Sequence, residues 1–174
     1  MSLFDTVFDR CMGHEGGFQN ARTDRANWTS GKVGQGKLKG TKWGISAMSY
    51  PEVDIVNLTR EAAKEIYKRD WWDGLQMAQF GPGLCFQMFD AAINHGMDNA
   101  TMMLQKALGT KADGIIGPKT KAALAVDNPS DTCLLFLAAR MDFFLTLGMG
   151  SWQQFGRGWM KRVADNLRYA AQDL

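Results

Sequence analysis

Glycine and proline punctuate the second half of the chain so regularly that only helices of ordinary length fit between the marks. The triplet Gly81-Pro82-Gly83 precedes an apolar run over 84–95 that Gly96 closes, and a second run over 99–108 ends at Gly109. Glycine stops a helix because it enters the left-handed region without a side-chain clash, and proline starts one because its fixed φ and missing N–H suit the first turn. Pro118 and Pro129 therefore each open a further helix, the second leading into a long apolar segment through Leu147. A last helix is expected over about 158–171, with Trp159, Val163, Leu167 and Ala170 on one face and Lys161, Arg162, Asp165 and Arg168 elsewhere.

The first half has a different texture. Leu3, Phe4, Val7, Phe8, Cys11 and Met12 recur at helical spacing over 2–14, with Ser2 as N-cap and Gly16 and Gly17 as the stop. From Phe18 to Ser46, glycines at 31, 34, 36 and 40 and lysines at 32, 37, 39 and 42 leave no helical period, so the segment reads as loops and a small β-hairpin. Thr59 then caps a helix through about Trp72. In it Glu61 meets the positive first turn, and Glu65 stands at pairing distance from Lys68 and Arg69. The fold class is mainly α with one small β element, and no repeat of 20 to 50 residues occurs.

Composition narrows the chemistry. At 174 residues the chain holds one domain or one core with a small lobe. The expected division is 1–80 and 81–174, packed as one unit. A net charge of +2 is too weak to argue for nucleic acid. Three widely spaced cysteines make no disulfide framework. The N-terminal residues lack the apolar core of a secretory signal, and no stretch is long and apolar enough to span a bilayer. These features lead us to expect synthesis and folding in the cytoplasm. Two histidines, His14 and His95, in neither His-x-His nor His-Glu-x-x-His spacing, argue against a metal centre, and no phosphate-binding glycine loop occurs. No cofactor is expected.

Glutamate is scarce, and that narrows the search: only Glu15, Glu52, Glu61 and Glu65 occur, against fourteen aspartates. Helix electrostatics account for Glu61 and Glu65, and Glu52 follows Pro51 in a turn. Glu15 remains, at the end of the first helix and followed by two glycines that allow close approach. The negative end of a helix dipole favours a protonated carboxyl, which suits a general acid. Asp24 follows on the irregular segment, and a neutral carboxyl beside an ionised one is the equipment of glycoside hydrolysis. A solvated glutamate in a glycine-rich turn accounts for the same residue equally well on local physics.

Five segments taken together carry a resemblance. His14-Glu15-Gly16-Gly17-Phe18, Gly40-Thr41-Lys42-Trp43-Gly44-Ile45-Ser46, Asp70-Trp71-Trp72-Asp73, Phe89-Asp90-Ala91-Ala92-Ile93-Asn94 and Asp113-Gly114-Ile115-Ile116-Gly117-Pro118-Lys119-Thr120 resemble, in order, the glycoside hydrolase family 108 endolysins. These are phage and prophage N-acetylmuramidases with a lysozyme-like helical domain and a predicted peptidoglycan-binding C-terminal region. The resemblance implies Glu15 as general acid and Asp24 as its partner, with Phe18, which stands where the family has Tyr, as an apolar platform. An insertion containing Asn27-Trp28-Thr29-Ser30-Gly31 leaves the site threonine open: Thr29 keeps the spacing from Asp24, and Thr41, which we favour, keeps the spacing to Gly44-Ile45. Trp43, Asp90 and Asn94 are the implied substrate contacts.

The implied function is hydrolysis of the β-1,4 bond between N-acetylmuramic acid and N-acetylglucosamine during host cell lysis. The implied partners are peptidoglycan strands and, for access to the wall in the periplasm, a holin; a monomer is expected. Two alternatives stand beside it: a lytic transglycosylase on the same bond, and a non-catalytic wall-binding or secretion-assisting protein. The basic C-terminal helix over 157–174 either packs its apolar stripe on the core or lies on an anionic membrane surface.

Overall fold

The computed structural model describes residues 2–13 and 17–174, which divide into two compact units, Met1–Leu75 and Gln76–Leu174. In the first unit, helix α1 (Leu3–Met12) begins at a reciprocal cap. The Ser2 hydroxyl accepts from the Asp5 N–H at 3.1 Å, and the Asp5 carboxylate accepts from the Ser2 N–H at 2.8 Å. Its apolar stripe of Phe4, Val7, Phe8 and Cys11 is buried. Helix α2 (Arg60–Tyr67), capped by Thr59, brings up Ala63, Ile66 and Tyr67, and the Phe8 and Tyr67 rings meet at 5.8 Å. Lys64 pairs with Asp5 at 2.5 Å, and Arg60 pairs with Asp9.

Past Tyr67 the chain widens into a π-helical turn, Lys68–Asp73, where we had expected an ordinary helix. A π-turn brings residues five apart onto one side, so Lys68 bonds Asp73 at 2.6 Å, and Arg69 takes Asp70 at 2.5 Å. The expected pairing of these bases with Glu65 is replaced for that reason. Within the turn Asp70 accepts from the Tyr50 hydroxyl at 3.0 Å, and the same hydroxyl receives the Trp71 indole N–H at 3.3 Å.

The β element is as small as a hairpin can be. Strands β1 (Thr41–Lys42) and β2 (Ile45–Ser46) pair antiparallel, Thr41 opposite Ser46 and Lys42 opposite Ile45. Trp43 and Gly44 form the turn with φ of 53° and 73°. Two positive φ values give the hairpin turn whose twist matches that of the strands. An isolated bridge ties Gln19 to Thr41 and another ties Trp28 to Leu38, so the irregular segment folds back along the hairpin.

The second unit is helical: α3 (Pro82–His95), α4 (Met97–Ala107), α5 (Pro118–Val126), α6 (Pro129–Leu145) and α7 (Gly148–Asp173). Helix α3 is its axis, buried without interruption from Gly83 to Ala92, and it packs against α4, α6 and α7. Helix α7 begins ten residues before its expected start. The glycines of this stretch are absorbed into the helix: a Cβ on Gly156 would stand 3.1 Å from the Trp152 ring, so the bare position makes room for an indole. The Trp159 ring stacks on Phe144 at 4.9 Å. The buried face of α7 runs through Val163, Asn166 and Ala170, whereas Leu167, expected on it, is 42% exposed. No helix among the described residues is long and apolar enough to cross a membrane.

Candidate active site

Glu15, with His14 and Gly16, lies outside the described residues. What the first unit does describe is the ground on which the other candidates stand. Asp24 caps the 3-10 turn Arg25–Asn27: its Oδ1 accepts from the Ala26 N–H at 2.9 Å, and its Oδ2 accepts from Gln19 Nε2 at 3.2 Å. Thr41 opens β1 and donates its hydroxyl to Asn27 Oδ1 at 2.8 Å. Asn27 is fully buried and gives its amide protons to Gln19 Oε1 at 2.9 Å and to the Ala21 carbonyl at 3.0 Å. Asp24 and Thr41, seventeen positions apart, are thus joined through two amides.

The competing threonine is engaged elsewhere. Thr29 Oγ1 accepts from the Lys37 N–H at 3.0 Å while the Thr29 N–H donates to the Lys37 carbonyl, so this side chain closes the inserted loop on itself. Lys39 and Lys42 brace the same region, donating from Nζ to the carbonyls of Pro51 at 2.6 Å and Val56 at 2.9 Å.

Two aromatic candidates flank this chain. The Phe18 ring lies on bare backbone: a Cβ on Gly40, at φ 85°, would stand 2.6 Å from both Phe18 Cε2 and the Gln19 carbonyl. That contact holds one face of the ring and leaves the residue 42% exposed. Trp43 is half-buried at φ 53°, a position where a bulky L-residue is strained, and its indole N–H has no hydrogen-bond partner among the described residues.

In the second unit Asp90 corrects the expectation that it contacts substrate. Its side chain has no exposed surface, and both oxygens are taken: Arg140 Nη1 at 2.6 Å and Asn166 Nδ2 at 3.0 Å on Oδ2, and Arg162 Nη1 at 2.9 Å on Oδ1. Burial pushes this carboxyl upward, but the Arg140 and Arg162 charges and the Asn166 bond outweigh it and hold it below the usual carboxylate range. Arg162, expected on a solvated basic face, belongs to this network with 14% of its side chain exposed. Arg140 also donates from Nε to His95 Nε2 at 3.1 Å, and His95 lies against Phe143 and Phe144 at 5.0 and 5.1 Å. Asn94 is exposed at the end of α3, its amide anchored on the Asp90 carbonyl at 2.7 Å.

The turn Asp113–Pro118 is held by buried Gln105. Its Nε2 stands 2.8 Å from Asp113 Oδ1 and 3.0 Å from the Ile115 carbonyl, and its Oε1 accepts from the Gly114 N–H at 2.9 Å. A cavity of about 660 Å³ opens beside it, lined by Lys111, Asp113, Ile115, Pro118 and Lys119 among others. The three cysteines are buried free thiols, and burial pushes Cys85 up to about 12 and Cys133 up to about 11, as inert structural thiols behave. Among the described residues no cluster of His, Cys, Asp and Glu is arranged to hold a metal ion.

Comparison with known proteins bears on both units. A family model described as Glycosyl hydrolase 108 matches residues 8–96, and one described as Predicted Peptidoglycan domain matches residues 99–164. The fold is similar to that of Brucella abortus SagA, with a TM-score of 0.75 and 26% sequence identity over 97% of this chain and 94% of that one. No curated protein sequence matches the chain. The first match contains Glu15, Asp24, Thr41, Phe18, Trp43, Asp90 and Asn94, and covers half of the chain. The chain belongs to the glycosyl hydrolase 108 family and is a glycosidase directed at peptidoglycan.

Proposed function

We propose that the protein is an N-acetylmuramidase that hydrolyses the β-1,4 bond between N-acetylmuramic acid and N-acetylglucosamine. The observation that carries this reading is the glycosidase match over 8–96, which spans an acid candidate together with Asp24 and Thr41, the two linked through the Gln19 and Asn27 amides. In this reading Glu15 protonates the leaving oxygen as the glycosidic bond breaks. Asp24 and Thr41 hold the water that attacks the developing oxocarbenium centre, and Asp24 receives its proton. Within the first unit Phe18 and Trp43 offer rings to sugar faces; the second unit offers wall contacts of its own, a polar one at Asn94 and, for the stem peptide, the cavity beside Lys111 and Lys119.

As a biological role we propose an endolysin. It would fold in the cytoplasm as a monomer and reach the wall through a lesion made by a holin.

Digestion of purified peptidoglycan, read by mass spectrometry, tests the chemistry. Hydrated reducing muramic ends are expected. Anhydro-muramic ends would make the protein a transglycosylase, and pelleting with walls without clearing them would make it a binder. Glu15→Gln keeps the side-chain shape but cannot deliver a proton, so lysis should fall by about a hundredfold or more. Retention of a tenth of the activity would remove Glu15 from the acid role.

A further inference from the structure

We infer that Gln19 and Asn27 are positioning residues that fix which way the Thr41 hydroxyl points, through a hydrogen-bond relay of one polarity running from Thr41 to Asp24. The inference rests on the reading above, in which Asp24 and Thr41 serve the attacking water.

Ala21 decides the polarity. Its carbonyl can only accept, and it lies 3.0 Å from Asn27 Nδ2; its N–H can only donate, and it lies 3.4 Å from Gln19 Oε1. Each side-chain amide is thereby oriented by main chain, where either end could otherwise face either neighbour. The bonds that remain then have one direction. Thr41 donates to Asn27 Oδ1 at 2.8 Å, Asn27 donates to Gln19 Oε1 at 2.9 Å, and Gln19 donates to Asp24 Oδ2 at 3.2 Å.

A threonine hydroxyl has one proton, and here Asn27 receives it. The oxygen can therefore only accept from anything else. A water bound to it must donate a hydrogen, which turns the water's lone pair away from Thr41 and leaves it for an electrophilic carbon. With the opposite polarity Thr41 would donate to the water, tying up one of its two lone pairs and lowering its nucleophilicity. The Asp24 carboxylate at the far end strengthens the effect, because each bond in such a chain polarises the next.

Full burial of Asn27 makes it a poor place to intervene, whereas Gln19 is exposed and its side chain can be changed without opening the core. Gln19→Met removes both relay bonds at similar length. We expect kcat on soluble peptidoglycan fragments to fall by about tenfold, with KM and Tm close to wild type, because Asn27, left with the Ala21 carbonyl alone, holds the Thr41 hydroxyl less firmly and this acts on the chemical step. The deciding comparison is a double-mutant cycle with Thr41→Val. In that background Gln19→Met should have almost no further effect, since the hydroxyl it orients is gone. An equal loss in both backgrounds, or wild-type kcat in Gln19→Met alone, overturns the relay.

A second measurement needs no turnover. In NMR spectra of the full chain the Thr41 hydroxyl proton should be visible through slowed exchange, with a cross-peak to Asn27, and should exchange faster in Gln19→Met, where Asn27 keeps only its bond to the Ala21 carbonyl. A proton exchanging at the bulk rate in the wild type overturns the relay directly. Failure of the muramidase reading itself shows differently, as the absence of glycan cleavage by the wild-type protein or an undiminished Glu15→Gln variant.

Discussion

Arg140 Nη1 lies 2.6 Å from Asp90 Oδ2, and neither side chain has any exposed surface. Two charges leave water at considerable cost, and the pair is tenable only because Arg162 and Asn166 also satisfy the carboxylate. The pair joins α3 to α6, and Arg162 and Asn166 bring α7 to the same atoms. Arg140→Met should therefore destabilise the protein by about 3–5 kcal/mol in urea unfolding, the usual consequence of stranding one buried partner. Arg162→Gln should cost less, since Arg140 and Asn166 remain on the carboxylate. A loss below about 1 kcal/mol for Arg140→Met would mean that the core closes over the site as easily with apolar atoms.

The same network sets an acid limit. Burial, aided by the Arg140 cation, pushes the His95 imidazole down to about 4 from its ordinary 6.5. The unfolded chain takes up a proton near pH 6.5 that the folded chain refuses until about pH 4, so stability is level above that window and falls on acidification through it. The loss should be at most about 3 kcal/mol. Asp90, held below its ordinary value, acts in the same direction at lower pH: its contribution is present above the unfolded carboxylate range and is lost as the folded carboxyl protonates. His95→Gln keeps an acceptor for Arg140 and should flatten the Tm profile between pH 6.5 and 4; an unchanged slope would place the titration on another group.

Trp43 holds a left-handed conformation at φ 53° that asparagine tolerates far better. Relief of strain there is worth about 1–3 kcal/mol, against which the half-buried indole loses packing. Trp43→Asn should keep or raise the Tm while raising KM on peptidoglycan fragments by about three- to tenfold, the size of one aromatic contact. A fall in Tm with unchanged kinetics would show the indole to be a packing residue.

Lys111 and Lys119 border the cavity beside the clamped Asp113–Pro118 turn. Changing both to glutamine should weaken pelleting with purified walls, and added salt should narrow the difference from wild type, because exposed charges are screened. Hydrolysis of short soluble fragments should be unaffected. Equal pelleting at low salt would exclude the two lysines from wall contact.

The helical half was readable because its signals are local. Pro118, Pro129, Gly96 and Gly109 punctuate the sequence where turns are needed, and apolar residues recur at the helical period between them. The expectations that failed involved longer-range partners. Nothing near Gly156 in sequence says that Trp152 will use its open side, and nothing near Arg162 says that a buried carboxylate waits on α3. Asn166 displaces Leu167 from the buried face because Asp90 needs a donor, a demand set seventy-six positions away. Asn27 and Gln19 had no signal at all. They lie in a segment without periodicity, where burial cannot be inferred, and Asn27 read as part of an insertion. The Asp24 and Thr41 candidates came from residue type and family spacing, and their connection through the two amides exists only in the folded chain.

Helix α3 carries the last stretch of the glycosidase match, which ends at Gly96, yet it forms the axis of a unit whose other α-helices lie beyond that match. A shuffling event or an engineer cutting at the linear seam near residue 97 would separate α3 from the helices that cover it, exposing a largely apolar rod with an unpaired Asp90 on one fragment and leaving a hollow bundle on the other. The unit that can be exchanged between enzymes of this kind starts near Gln76, and a chimera joined there inherits an intact bundle with its ion network.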